Sequence, residues 1–437
     1  MNPRPFYTRR EFLRGSVLGG ALSWTVPGFV QATLSSLQAD AAERAGAATG
    51  KQAPILVLLQ LAGGNDGLNT VVPIANDFYY KARPSLAIAK NTALKLNDAI
   101  GLHPALARLK QVYDDGQLAI VQGVGYPNPN RSHFRSTEIW QTAVDADRVE
   151  KHGWVGRFFD NQCAGADATA GVAISSEEPL AFAAKSPKGV AFQNPEMYRV
   201  LGQDAQDGGA DEMMFHQMNG GEGASGGSIG SLAGRRRTGE APLDFLERVA
   251  LDAQVSSDQI LAIARKAPAR AAFPATRLGR DLELVARLIA GGMATRIYYV
   301  SHGGFDTHNN QAANHERLLR ELADGMGAFI ADMKTQGNLE RVQLMTFSEF
   351  GRRVAENGSR GTDHGTAAPL FIAGGRVKAG LFGRAPELDP TKLDKGDLRF
   401  TTDFRSVYAT VLEQHLNAAS APILGRAFPT LSLTPTT

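Results

Sequence analysis

The stretch Ile55-Leu56-Val57-Leu58-Leu59-Gln60-Leu61, followed at once by Ala62-Gly63-Gly64-Asn65-Asp66-Gly67, decides how the rest of the chain reads. A strand with one wet face alternates apolar and polar residues. A run apolar at nearly every position reads instead as a strand covered on both faces, the pattern of a parallel sheet. The sudden change to glycine, asparagine and aspartate marks a polar turn at its carboxyl end. Similar runs recur at 118–121, 171–174, 297–300, 342–346 and 370–373. Helical periodicity lies between them. Leu278, Leu282, Val285 and Ile289 share one face, and Leu318, Leu322, Met326, Phe329 and Met333 another. Thr402-Asp403 reads as a cap that opens a helix from Phe404 to Leu416. Strands alternating with helices predict an α/β protein, a three-layer α/β/α sandwich with a mainly parallel central sheet. Ligands of such sheets gather beyond the carboxyl ends of the strands.

The composition agrees with a large globular protein. The chain has 437 residues, of which 43% are hydrophobic and 21% charged, too apolar for disorder along its whole length. Its single cysteine, Cys163, excludes an intrachain disulfide framework. With 46 basic and 44 acidic residues, nothing predicts a nucleic-acid partner.

The front of the chain reads as an address. Thr8-Arg9-Arg10-Glu11-Phe12-Leu13-Arg14 looks like a twin-arginine export signal, and a weakly apolar, uncharged run from Gly15 to Ala39 follows. The expectation is a leader and linker over 1–41, export of the folded chain by the twin-arginine translocase, and a periplasmic or secreted product. No later segment is long and apolar enough to span a membrane. A single domain over 50–437 is expected, interrupted at about 205–240 by an insertion holding ten of the 47 glycines. Matches to G-x-S-x-G and G-x-G-x-x-G inside that insertion follow no strand, so they lack the turn that gives those motifs their chemistry.

Polar clusters mark the ends of the strands. In Gly63–Asn69, Asp66 is either a cation ligand or the cap of a tight turn. In Asn128–Arg135, Ser132 is either a nucleophile at a helix start, with Arg131 or Arg135 holding an anion, or a simple cap. Ser301–His308 follows another strand, and with His315 it places three of the nine histidines within fourteen residues. Asp306 and His308 are plausible ligands for a divalent metal. Phe347–Arg352 carries Glu349, and Gly361–Thr366 carries Asp363 and His364. Together these segments direct Asp66, Ser132, Asp306, His308, Glu349, Asp363 and His364 toward one edge of the sheet.

At these residues the chain resembles the family of exported bacterial proteins called domain of unknown function 1501. The resemblance rests on Leu61–Asn69, Asn130–Phe134, Phe305–His308, Phe347–Arg352, Thr362–Thr366 and Thr402–Val411, in that order. That family is similar to the alkaline phosphatase and sulfatase superfamily. The similarity implies an alkaline phosphatase-like fold and a metal-dependent hydrolase of a phosphate or sulfate ester, small-molecule or polysaccharide. Asp66 matches the aspartate after the first strand, Ser132 the nucleophile, and Asp306 with His308 one ligand pair. Glu349 stands where an aspartate belongs, and His364 matches the last histidine. Phe350 departs from the pattern, because a second metal's histidine belongs there. A second ion would keep mainly Asp66, Glu349 and the nucleophile, an oxygen-only set that favours Mg²⁺, Ca²⁺ or Mn²⁺ or no ion. Asp306, His308 and His364 suit one ion, zinc included. Arg131, Arg135 or Arg352 would clamp the anion, and His133 would orient the nucleophile or donate a proton. The alternative implied by Phe350 is a non-catalytic envelope protein that binds a protein partner or polysaccharide on the same scaffold.

Overall fold

The computed structural model describes residues 52–164, 166, 168–186, 189–193 and 260–433. The export signal and the glycine-rich insertion expected from the sequence lie outside the described residues.

The strands, in chain order, are β1 (Ile55–Leu61), β2 (Val71–Val72), β3 (Leu94–Lys95), β4 (Gly101–Leu102), β5 (Leu118–Gly125), β6 (Gly171–Ile174), β7 (Gly189–Phe192), β8 (Ile297–His302), β9 (Val342–Phe347), β10 (Ala368–Gly374), β11 (Gly380–Phe382) and β12 (Thr402–Asp403). Nine of them form one sheet in the order β11-β5-β10-β9-β1-β8-β6-β7, with β12 also on β5. β1 is at its centre, parallel to β8 on one side and β9 on the other. β6 and β7 continue the parallel run. β10 alone is antiparallel to its neighbours β9 and β5. β2, β4 and β3 make a separate small sheet.

The helices are α1 (Gly67–Thr70), α2 (Asp77–Ala82), α3 (Ala107–Asp114), α4 (His133–Thr142), α5 (Trp154–Gln162), α6 (Arg277–Ala290), α7 (Gln311–Gln336), α8 (Phe404–Gln414) and α9 (Ser420–Leu424). Thr276 caps α6 through the Gly279 N–H, and Asp403 caps α8 through the Arg405 N–H. The apolar run at 55–61 divides by parity. Ile55, Val57, Leu59 and Leu61 join a core with residues of α3, α6 and α7. Leu56 and Leu58 join a second core with residues of α4, α5, α8 and α9. Both faces of β1 are therefore covered, which is why its sequence does not alternate. The result is the mostly parallel α/β/α sandwich. Among the described residues no helix is long and apolar enough to cross a membrane.

The direction of β10 decides which loops can meet. Its neighbours present their carboxyl ends at one edge of the sheet, and β10, running the opposite way, starts at that same edge. The loop before β10 therefore meets the loops after β1, β5, β8 and β9.

Behind the sheet's other edge, His415 at the end of α8 donates its Nε2–H to the Ile55 carbonyl at 2.8 Å. Burial, helped by the Arg296 and Arg376 charges and opposed by the Ile55 hydrogen bond, lowers its pKa from 6.5 to about 4. The folded chain holds this imidazole neutral, whereas the unfolded chain takes up a proton below its ordinary pKa of about 6.5. The stability it contributes is complete above 6.5 and is lost as pH falls toward 4. The expected result is a melting temperature that drops across that window, with a shallower slope in His415→Gln, measured by calorimetry at a series of pH values.

Candidate metal centre

Four loops assemble the site. The turn after β1 carries Gly63–Asp66, and the loop after β5 leads into α4 at Ser132 and His133. The loop after β8 carries Asp306 and His308, and the chain between β9 and β10 carries Glu349, Arg352, Asp363 and His364. Gly63 makes the approach possible. At its φ of +116° a Cβ would lie 2.5 Å from the Asp306 nitrogen, so only glycine lets these two turns touch.

Asp306, His308 and His364 meet at the centre. Asp306 Oδ1 is 3.1 Å from His308 Nε2 and 3.2 Å from His364 Nε2. The two imidazole Nε2 atoms are 3.0 Å apart. His133 approaches from α4, with its Nε2 3.6 Å from Asp306 Oδ2. His133, Asp306 and His364 offer donor atoms that all lie within 4.8 Å of one another.

The far side of each ring fixes where its hydrogen is. His364 Nδ1 faces the Arg131 carbonyl at 2.8 Å, which can only accept. His308 Nδ1 faces Asp363 Oδ1 at 3.3 Å, and His133 Nδ1 faces Glu349 Oε1 at 2.8 Å. With Nδ1 set against an acceptor in each case, all three rings direct Nε2 toward Asp306, and in the Nδ1–H tautomer that Nε2 is free to serve as a ligand. An outer acceptor on each ring is also the arrangement that orients metal-bound histidines. Asp306 and His364, with His133 or His308 as the third donor, therefore fit a divalent cation. The nitrogen-rich set suits a zinc-like ion better than Mg²⁺ or Ca²⁺.

Electrostatics points the same way. Partial burial pushes the Asp306 pKa up, but the hydrogen bond and the charge of Arg352 hold it below the usual carboxylate range. The Asn357 hydrogen bond, against partial burial and with help from His308, keeps Asp363 low as well. Both remain anionic at neutral pH.

Several sequence expectations need correction. Asp66 is not among the converging donors. It is fully buried, caps α1, and pairs with Arg83 at 2.6 Å. Burial raises its pKa, but Arg83 more than reverses this and keeps it ionised. Asp363 and Glu349 stand one step behind, each as partner of a histidine. Glu349 Oε1 also accepts the Gly63 N–H at 2.8 Å. The arginines expected to clamp an anion are committed elsewhere. Arg131 pairs with buried Asp397. Arg135 pairs with Glu138 at 2.7 Å and donates to the Ala146 and Arg148 carbonyls. Arg352, wholly buried, donates to the carbonyls of Gly63, Gly64, Phe305 and Thr362 and to Asp306. His302 and His315, grouped with His308 by spacing, are buried in the core, against the Leu318 carbonyl and Asn65 respectively. Ser132 is exposed at the start of α4. Its side chain makes no capping bond, and its N–H is held by Asn130 Oδ1 at 2.8 Å.

The residues do not fit a second ion. Arg83 holds Asp66, and Phe350 puts a ring where the second ion's histidine would be needed, so Glu349, whose Oε1 is held by His133 and Gly63, has only Oε2, unpartnered among the described residues, to offer. That ring packs 4.6 Å from the His364 ring and 4.9 Å from the His133 ring.

A three-layer α/β fold with one compact His/Asp cluster at its polar edge defines the class. The chain matches the family described as "Protein of unknown function (DUF1501)" over residues 53–419, and it belongs to that family. No curated protein matches it. Similar solved structures include a phosphonate monoester hydrolase of Agrobacterium radiobacter, 9% identical over 86% of this chain and 78% of that one, TM-score 0.38. A protein in the alkaline phosphatase superfamily from Vibrio parahaemolyticus is 9% identical over 86% and 69%, TM-score 0.37. The PsFucS1 sulfatase from Pseudoalteromonas sp. is 11% identical over 90% and 74%, TM-score 0.33. The reading of the site rests on its own geometry.

Two outcomes test this geometry. Asp363→Asn should weaken zinc binding by about 10- to 100-fold in a chelator competition while the fold is retained. Gly64, at φ +80°, would place a Cβ 2.4 Å from the Phe350 ring. Gly64→Ala should cost about 3 kcal/mol in denaturant unfolding, and Phe350→Ala in the same chain should recover part of it.

Proposed function

We propose that this protein is an exported hydrolase of a phosphate or sulfate ester that works with one divalent ion rather than two. The observation that carries the reading is the convergence of the His308 and His364 Nε2 atoms on Asp306, with an acceptor behind each ring at Nδ1. The site lies where an α/β sheet places its ligands. Asp306, His308 and His364 would hold the ion. When bound, it would supply Lewis-acid stabilisation of the charge on the ester oxygens.

The chain's own residues would do the rest. Ser132 precedes His133 at the start of the ten-residue α4, where free N–H groups and the helix dipole favour an anionic group. Its Oγ would attack phosphorus or sulfur and lose its hydrogen. The bond to the leaving alcohol would break as that alcohol gains a proton, and water would then release the acid from Ser132. Glu349 holds His133 in one orientation beside the serine. Phe350 keeps water from the side where a second ion would stand. The Thr8–Arg14 motif supports export in the folded state, to the periplasm or beyond.

A second reading is favoured by one observation: the engagement of Arg131, Arg135 and Arg352 leaves none of the three free to clamp an anion. On that reading the protein binds its ion and turns over nothing. A panel of phosphate mono- and diesters and sulfate esters, run on protein exported by its own host, separates the two. The hydrolase reading expects turnover that falls about a thousandfold or more in Ser132→Ala. Bound metal at one ion per chain with no turnover on any ester would favour the non-catalytic reading. Turnover intact in Ser132→Ala would remove the serine from the mechanism.

A further inference from the structure

Beside the cluster opens a cavity of about 550 Å³, bounded by the ends of β1 and β8, the first turns of α4 and Leu180. That is the size of a small-molecule site. No lysine or arginine lines it among the described residues. Of its two carboxylates, Glu138 pairs with Arg135 at 2.7 Å, and Glu349 uses only Oε1, toward His133 and the Gly63 N–H. A second anionic group finds no cation in this lining, whereas Glu349 Oε2, buried without a partner among the described residues, is an open acceptor for a hydroxyl.

What the cavity does offer is uncharged hydrogen bonding. Gln60, only 8% exposed, lines it. Tyr299 donates to Gln60 Oε1 at 2.5 Å, which fixes the amide and leaves its Nε2 without a partner among the described residues. The Thr137 hydroxyl also lines the space. At the mouth stands Phe134, the most exposed large apolar side chain among the described residues at 91%. Fixed amide donors, hydroxyls that both give and accept, and a flat apolar face match a ring bearing hydroxyl groups.

We propose that this cavity receives a neutral sugar ring, the alcohol portion of the ester; the assignment of that portion rests on the hydrolase reading, whereas binding of the ring does not. Phe134 supplies a stacking face, and Gln60 and Thr137 read the hydroxyls. The substrate's charge is then confined to the group held at Asp306, His308 and His364.

Gly303 gives a direct test. It lines the cavity, and a Cβ built on it meets nothing within 4 Å, so a side chain introduced there starts in open space at the cavity wall. Metal-loaded protein is titrated with cellobiose, lactose, choline chloride and inorganic phosphate, followed by calorimetry and saturation-transfer NMR. The expected result is binding of a neutral disaccharide, weakened about tenfold or more in Gly303→Trp and less strongly in Phe134→Ala, with metal content unchanged. Phe134→Ala, a surface change, keeps the test decisive if the tryptophan variant folds poorly. Absence of disaccharide binding, equal binding to all three proteins, or a preference for choline would overturn the proposal. Disaccharide binding that Gly303→Trp abolishes, in a protein that hydrolyses no ester, would sink the hydrolase reading and leave the sugar site standing.

Discussion

The guanidinium of Arg352 is the point on which the site closes. Its nitrogens reach the carbonyls of Gly63 and Gly64 after β1, of Phe305 after β8 and of Thr362 before β10, and they also hold Asp306. A wholly buried cation is costly unless every donor finds an acceptor. Here the acceptors are backbone oxygens on three separate loops. The same contacts that make the charge tolerable fix the distances between those loops. A lysine would carry the charge but not the fork, so it could not span these segments together.

Around that tie, two buried networks divide the work. Asp66, Arg83, Asn69, Tyr79 and Gln311 form one, locking the turn after β1 to α2 and α7. His133, Glu349, Ser136 and Tyr126 form the other, locking α4 to the chain after β9. Between them lies the donor cluster, with the Phe350 ring against it. The fold thus uses one of its strand-end aspartates as scaffold and leaves Asp306 among the converging donors. Glycine at 64 and phenylalanine at 350 fit each other so closely that neither position is free to vary alone.

The sheet was legible in the sequence because its signal is local. Doubly covered strands such as 55–61 show no alternation, and the capping residue at 403 stands directly before its helix. The edge where the donors meet was legible too, since strand ends in an α/β protein share a side. Side-chain direction was not. Asp66 and Asp306 both follow strands and both sit among glycines, yet one is claimed by an arginine 17 residues downstream. That pairing depends on how α2 packs and leaves no trace in spacing. Arg352 and Arg131 suit an anion by residue type alone, because buried carbonyls and a buried Asp397 have no signature in sequence. Spacing puts His133 beside Ser132 and does not mark it as part of the donor group. Its partner Glu349 is 216 positions away, and only the folded chain brings them together.

The reversal of β10 has one more effect. It brings His364 to a centre whose other donors lie on the far-separated segments at 133 and 306–308, so no short stretch of the chain contains a complete ligand set. On the metal-binding reading proposed above, an unfolded or half-made chain would lack the complete set, and capture would wait for the sheet to be whole. The metal in purified protein would then record the place where the chain folded, and the ions abundant there, as much as the preference of its donors.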